Sequence, residues 1–111
     1  MSARLKRNFP LLKLLKAAKP KQRKAILEAS PLDLVDCLSE IAENILEGNI
    51  KLSARDRKRL QRYKQFLRQI ACNSNSKQKR KQVVLQTGGA LPALLAPIIG
   101  LAGSLLGSLI H

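Results

Sequence analysis

Charge along this chain is sorted into blocks, and no other feature restricts its folding as strongly. Residues 1–27 hold nine basic side chains and no acid, residues 28–50 six acids and no base, residues 51–81 twelve bases against Asp56 alone, and residues 82–110 no charge. A block of like charge repels itself, so each basic block needs the acidic one or an external polyanion beside it. The net charge of +14 over 111 residues means that the acids cannot neutralise the bases. The blocks also mark the expected organisation: a basic N-terminal arm with short helices (1–29), a helical hairpin (30–72), a basic linker or helix (73–89) and an apolar tail (90–111).

Periodicity and capping predict an all-α chain. Pro10 and Pro20 suit a first helical turn, where the missing N–H costs nothing, and predict short helices over 10–18 and 20–29. Ser30-Pro31-Leu32-Asp33 reads as a capping serine, a first-position proline and an acid three residues after the cap. Leu32, Val35, Leu38, Ile41, Ala42, Ile45 and Leu46 follow at three-four spacing, and Gly48 suits the left-handed position that ends a helix. Ser53-Ala54-Arg55-Asp56 repeats the start signal, with Leu60, Tyr63, Phe66, Leu67 and Ile70 on one stripe as far as Cys72. A short loop between the two predicts an antiparallel pair, the acidic helix beside the basic one with apolar stripes facing. After the polar linker 73–76, residues 77–86 can resume a helix.

Composition excludes several classes of function. Cys37 and Cys72 lie 35 positions apart and the one histidine is His111, so neither zinc-ligand spacing nor a Cys/His nucleophile pair is present. No catalytic residue, metal ligand or cofactor is expected, and the chain does not read as an enzyme. Both cysteines are expected as buried, reduced thiols. Leu11, Leu12, Leu14 and Leu15 are interrupted by Lys13 and Lys16, so no secretory signal is expected.

Binding is the expectation that remains. Arg55, Arg57, Lys58, Arg59, Arg62, Lys64 and Arg68 have only Asp56 among them, whereas a solvated helix face mixes signs at three-four spacing. With the cluster Lys77, Lys79, Arg80 and Lys81 they are candidate contacts to the phosphates of duplex DNA. Specific readout is not expected: there is no zinc finger or RNA-binding aromatic pair, and Arg62, Gln65 and Gln69 are an isolated match to a groove-reading face.

The stretch from Leu91 to Ile110 is 20 uncharged residues, which as a helix at ~1.5 Å per residue would match a hydrocarbon core of ~30 Å. Pro92 and Pro97 interrupt it, and no aromatic belt flanks it. Leu91, Leu94, Leu95, Ile98 and Ile99, with the small-residue pair Gly103 and Gly107, are candidates for membrane insertion or assembly. Burial against the other helices or in a homo-oligomer is an equally weighted alternative. In the membrane reading the cationic cluster would hold its end of the tail on the negative side.

Ser30-Pro31, Leu34-Val35, Ser39-Glu40-Ile41-Ala42, Asn44-Ile45-Leu46, Gly48-Asn49-Ile50, Tyr63-Lys64, Leu67-Arg68 and the run 77–81 leading into Gln86-Thr87-Gly88-Gly89 together resemble the small basic proteins of Maverick/Polinton elements and adintoviruses. The resemblance covers about residues 30–100, and those proteins are in turn similar to the adenovirus core protein X family, precursors of mu. It implies a viral core protein that condenses DNA, found in the virion interior or host nucleus and contacting capsid proteins. It also implies processing by an adenovirus-type protease, whose relaxed motif fits Gln86 to Gly89 with cleavage between Gly89 and Ala90. Two other classes stay open beside this reading: a membrane-active or tail-anchored protein located at a membrane, and a cellular module that docks a partner helix on the 30–72 hairpin.

Overall fold

Three of the described helices open on a serine cap. Ser2, Ser53 and Ser76 each accept a hydrogen bond at the side-chain oxygen from the backbone N–H three residues on, at 3.1 Å in every case. They open α1 (Ala3–Ala17), α4 (Ala54–Gln61) and α6 (Lys77–Gln86). The structure, a computed structural model, describes residues 2–72 and 74–100. Over these residues the protein is all-α, and the remaining helices are α2 (Pro20–Ala29), α3 (Leu32–Leu46), α5 (Lys64–Ala71) and α7 (Ala90–Gly100).

Several boundaries differ from expectation for identifiable reasons. α1 starts at Ala3 and runs through Pro10, because the Ser2 cap and the burial of Leu5, Leu12 and Leu15 outweigh one missing N–H on an exposed face. Ser30 does not cap α3. It ends α2, donating its hydroxyl to the Ile26 carbonyl, and Pro31 occupies the capping position instead. The end of α3 is as expected: Gly48 has φ +77, its N–H bonds the Ile45 carbonyl at 3.1 Å, and the Asn49 N–H bonds that of Asn44 at 2.9 Å.

The helix expected from Ser53 to Cys72 is instead two. At the break the N–H groups of Arg62 and Tyr63 bond the carbonyls three residues back, and Tyr63 leaves the helical region. The halves serve different neighbours. α5 turns Phe66, Leu67 and Ile70 toward α3 and α6, while α4 packs Leu60 toward α7. A straight helix would not serve both contacts.

The described part of the tail takes one of its two expected courses, burial against the other helices. Leu91, Leu94, Leu95 and Ile98 are at most 1% exposed, and α7 packs on α1 and α4. They belong to one apolar core to which all seven described helices contribute, with Ile99 packed partly against it. The apolar residues of α7 are thus enclosed by the chain's own helices. No single described helix is long and apolar enough to cross a membrane; α6 and α7 reach that length only as a pair bent by 102°. Gly103 and Gly107 lie outside the described residues.

Candidate nucleic-acid interface

Two acids of α3, Asp33 and Asp36, sort the bases into two kinds. Asp33 accepts from Arg7 at 3.1 Å and from the buried Asn8 side chain at 3.0 Å, with Arg4 at 3.6 Å. The Asn8 hydrogen bond is the largest influence on the Asp33 carboxyl, and with the Arg7 guanidinium and Arg4 it outweighs the opposing effect of burial and holds the carboxyl below the ordinary value of 3.8. One turn on, Asp36 pairs with Lys77 at 2.9 Å and with Arg80 at 3.7 Å. Glu40 accepts from the Ser2 hydroxyl at 2.8 Å. The acidic helix therefore faces α1 and α6 with these groups, and tethers the ends of both.

The cluster proposed at residues 77–81 is largely structural. Arg80 is 7% exposed and donates from Nη1 to the Ser39 hydroxyl at 2.6 Å. Lys81 donates to the Glu28 and Ser30 carbonyls at 3.0 and 3.1 Å, closing the α2–α3 corner. Lys77 is held by Asp36, which leaves Lys79 as the member of the cluster whose side chain has neither an ion pair nor a hydrogen bond among the described residues. Sequence reading assigned Arg80 outward because it sits in a cationic run. The signal against that was its position one turn before the buried Val84, on the same helix face.

Arg23 was missed for the same reason. It lies one turn before Leu27, is 8% exposed, and donates to three carbonyls: Leu15 at 3.1 Å, Ala18 at 2.9 Å and Gly88 at 3.3 Å. A single guanidinium thus satisfies carbonyls at the end of α1 and ties them to the α6–α7 turn.

The bases of α4 and α5 are different. Arg55, Arg57, Lys58, Arg59, Arg62, Lys64 and Arg68 are all exposed, and none makes an ion pair among the described residues. Arg55, Lys58, Arg59 and Arg62 recur at three-four spacing away from the buried Leu60, and Arg68 continues the series away from Phe66, Leu67 and Ile70. Neighbours on such a face are ~5–6 Å apart, inside the Debye length of ~8 Å at physiological salt, so their repulsion is not screened away. The helices tolerate it because their opposite faces are buried. What results is a two-helix cationic face, each half about 12 Å long, with Gln65 and Gln69 beside Arg68.

Two further expectations meet this geometry. None of the three aromatic rings is exposed: Phe9 and Tyr63 are half-buried and Phe66 is buried, so the described surface has no platform for stacking bases. At the proposed cleavage point Gly89 is exposed, but Ala90 is fully buried and begins α7, and the Gly88 carbonyl is bonded to Arg23. Cutting there would require the turn to open first.

The thiols divide as well. Cys37 is fully buried, and burial pushes its thiol up to about 12. Cys72 is only partly buried, contrary to expectation; its hydrogen bond with Ser74, at 2.8 Å, lowers it from the ordinary 9.0. No family model matches the chain, and no curated protein or solved structure is significantly similar to it.

Proposed function

We propose that this protein is a non-enzymatic, sequence-independent binder of duplex DNA whose contact surface is the α4–α5 face. The observation that supports this reading is the segregation of charge: two α3 acids, Asp33 and Asp36, pair with bases of α1 and α6, while seven exposed bases on α4 and α5 remain without an ion pair among the described residues. A polyanion relieves that repulsion, and releases its own condensed counterions in doing so. Exposed arginines without exposed aromatic rings favour phosphate contact on a duplex over stacking on a single strand. In this reading the protein serves a virus or virus-like mobile element, neutralising packaged DNA inside the virion or in the host nucleus. Its resemblance to the small basic proteins of Maverick/Polinton elements motivates that setting.

Titration of duplex DNA over a range of salt concentrations tests the proposal. Contact with about six phosphates gives a log–log slope near −5, equal for target and scrambled sequences. Reversing Arg55, Lys58, Arg59 and Arg62 to glutamate should abolish most of the slope while leaving the helical spectrum unchanged, since all four are exposed. A slope that survives this change would remove α4–α5 from the interface. A strong preference for one sequence would overturn backbone-only binding.

A further inference from the structure

Two large hydrophobic side chains are exposed among the described residues, Leu14 at 53% and Leu46 at 40%. They lie in oppositely charged surroundings. Leu14 belongs to an apolar groove of about 500 Å³ between α1 and α2, completed by Ala17, Ala18, Gln22, Ala25 and Ile26. By helical spacing the exposed charges beside it are Lys13, one turn before Ala17, and Lys21, one turn before Ala25; neither forms an ion pair among the described residues. Leu46 projects from the last turn of α3, with Glu43 one turn before it on the same face and Glu47 next to it at the helix end. Both glutamates are exposed. Neither forms an ion pair among the described residues, and Glu47 accepts only a hydrogen bond from the Asn49 side chain.

We infer that the acidic knob around Leu46 of one copy docks into the lysine-flanked groove at Leu14 of another. The fit is one of kind as well as charge: a single leucine flanked by carboxylates against an apolar trough lined by small side chains and flanked by ammonium groups. Such a contact gives each charge group a partner it lacks within its own chain, and covers both exposed leucines at once. Two copies that exchange knob and groove reciprocally close a two-fold dimer; where only one contact forms, a free knob and a free groove remain on the pair and assembly continues to a ring or an open filament. The inference does not depend on DNA binding, although copies joined this way would bind a polyanion with avidity.

Sedimentation of the full chain, freed of nucleic acid, at physiological ionic strength tests it. The wild type should form a dimer or larger species as concentration rises. Leu14→Lys blocks the groove and Leu46→Lys blocks the knob, so each alone should remain a monomer with unchanged helicity, both sites being exposed. Mixed together they should form a one-to-one dimer and nothing larger, because one live knob meets one live groove. Glu43→Lys with Glu47→Lys should behave as Leu46→Lys does, and if Leu14→Lys loses helicity, Ala25→Lys blocks the same groove from the exposed face of α2. A wild type that stays monomeric throughout, single variants that still assemble, or a mixture that fails to pair would each overturn the inference.

Discussion

Arg80 and Arg59 carry the same group, and their surroundings give them opposite work. Arg80 sits between Ser39 and Asp36 with its side chain 9% exposed, so Arg80→Ala would take one of two cations from a partly exposed carboxylate and the partner from the buried Ser39 hydroxyl. We expect a loss of about 2 kcal/mol in urea unfolding, with little change in the DNA salt slope of the protein that remains folded. Arg59→Ala should do the reverse, lowering the slope by about 1 and leaving stability within ~0.5 kcal/mol. The cysteines offer a second contrast at this scale. A thiol reagent at mildly alkaline pH should modify Cys72 quickly and Cys37 only after unfolding, because the thiolate is the reactive form. Raising the pH should also weaken the fold through Cys37: its neutral form stabilises fully below 9.0, and that contribution is lost as pH climbs from there toward about 12. Equal labelling of both thiols in the native protein would contradict its burial.

Among the elements, α3 does most to organise the rest. Its apolar face meets α5, and its acids reach α1 and α6. Its end depends on Gly48, whose positive φ disfavours any side chain although no heavy atom lies within 4 Å of an added Cβ. Gly48→Ala should therefore cost about 1 kcal/mol through backbone strain alone, and Gly48→Asn less. Thermal unfolding distinguishes the two; an Ala variant as stable as the wild type would mean that the turn relaxes. The break between α4 and α5 is the counterpart at this scale. Local signals from Ser53 to Cys72 describe one helix, and nothing in the apolar stripe marks Arg62 and Tyr63 as a joint. The joint exists because Leu60 and the Phe66, Leu67, Ile70 group pack against different helices.

For the whole molecule, the decisive fact is where α7 goes. Removing residues 90–111 deletes no basic residue, and if the tail were independent of the cationic body it would raise solubility and spare DNA affinity. With Leu91, Leu94, Leu95 and Ile98 packed on α1 and α4, we expect the truncated chain to lose cooperative unfolding and to aggregate, since four fully buried side chains at about 1.5–3 kcal/mol each exceed what a small domain can spare. A soluble, cooperatively melting truncation would show that α7 is not core. The all-helical class, the cap at Ser53, the helix end at Gly48 and the bounds of α2 and α6 were all legible in the chain, because each depends on neighbours within a turn or two. The cationic α4–α5 face was legible too, as an excess of bases that one acid could not balance. Which bases serve the fold was not. Arg23 reaches a carbonyl 65 residues away, Arg80 a hydroxyl 41 away, and Arg7 a carboxylate 26 away. An ion pair or a buried leucine is defined by what lies opposite it, and that is settled only when distant segments share one core.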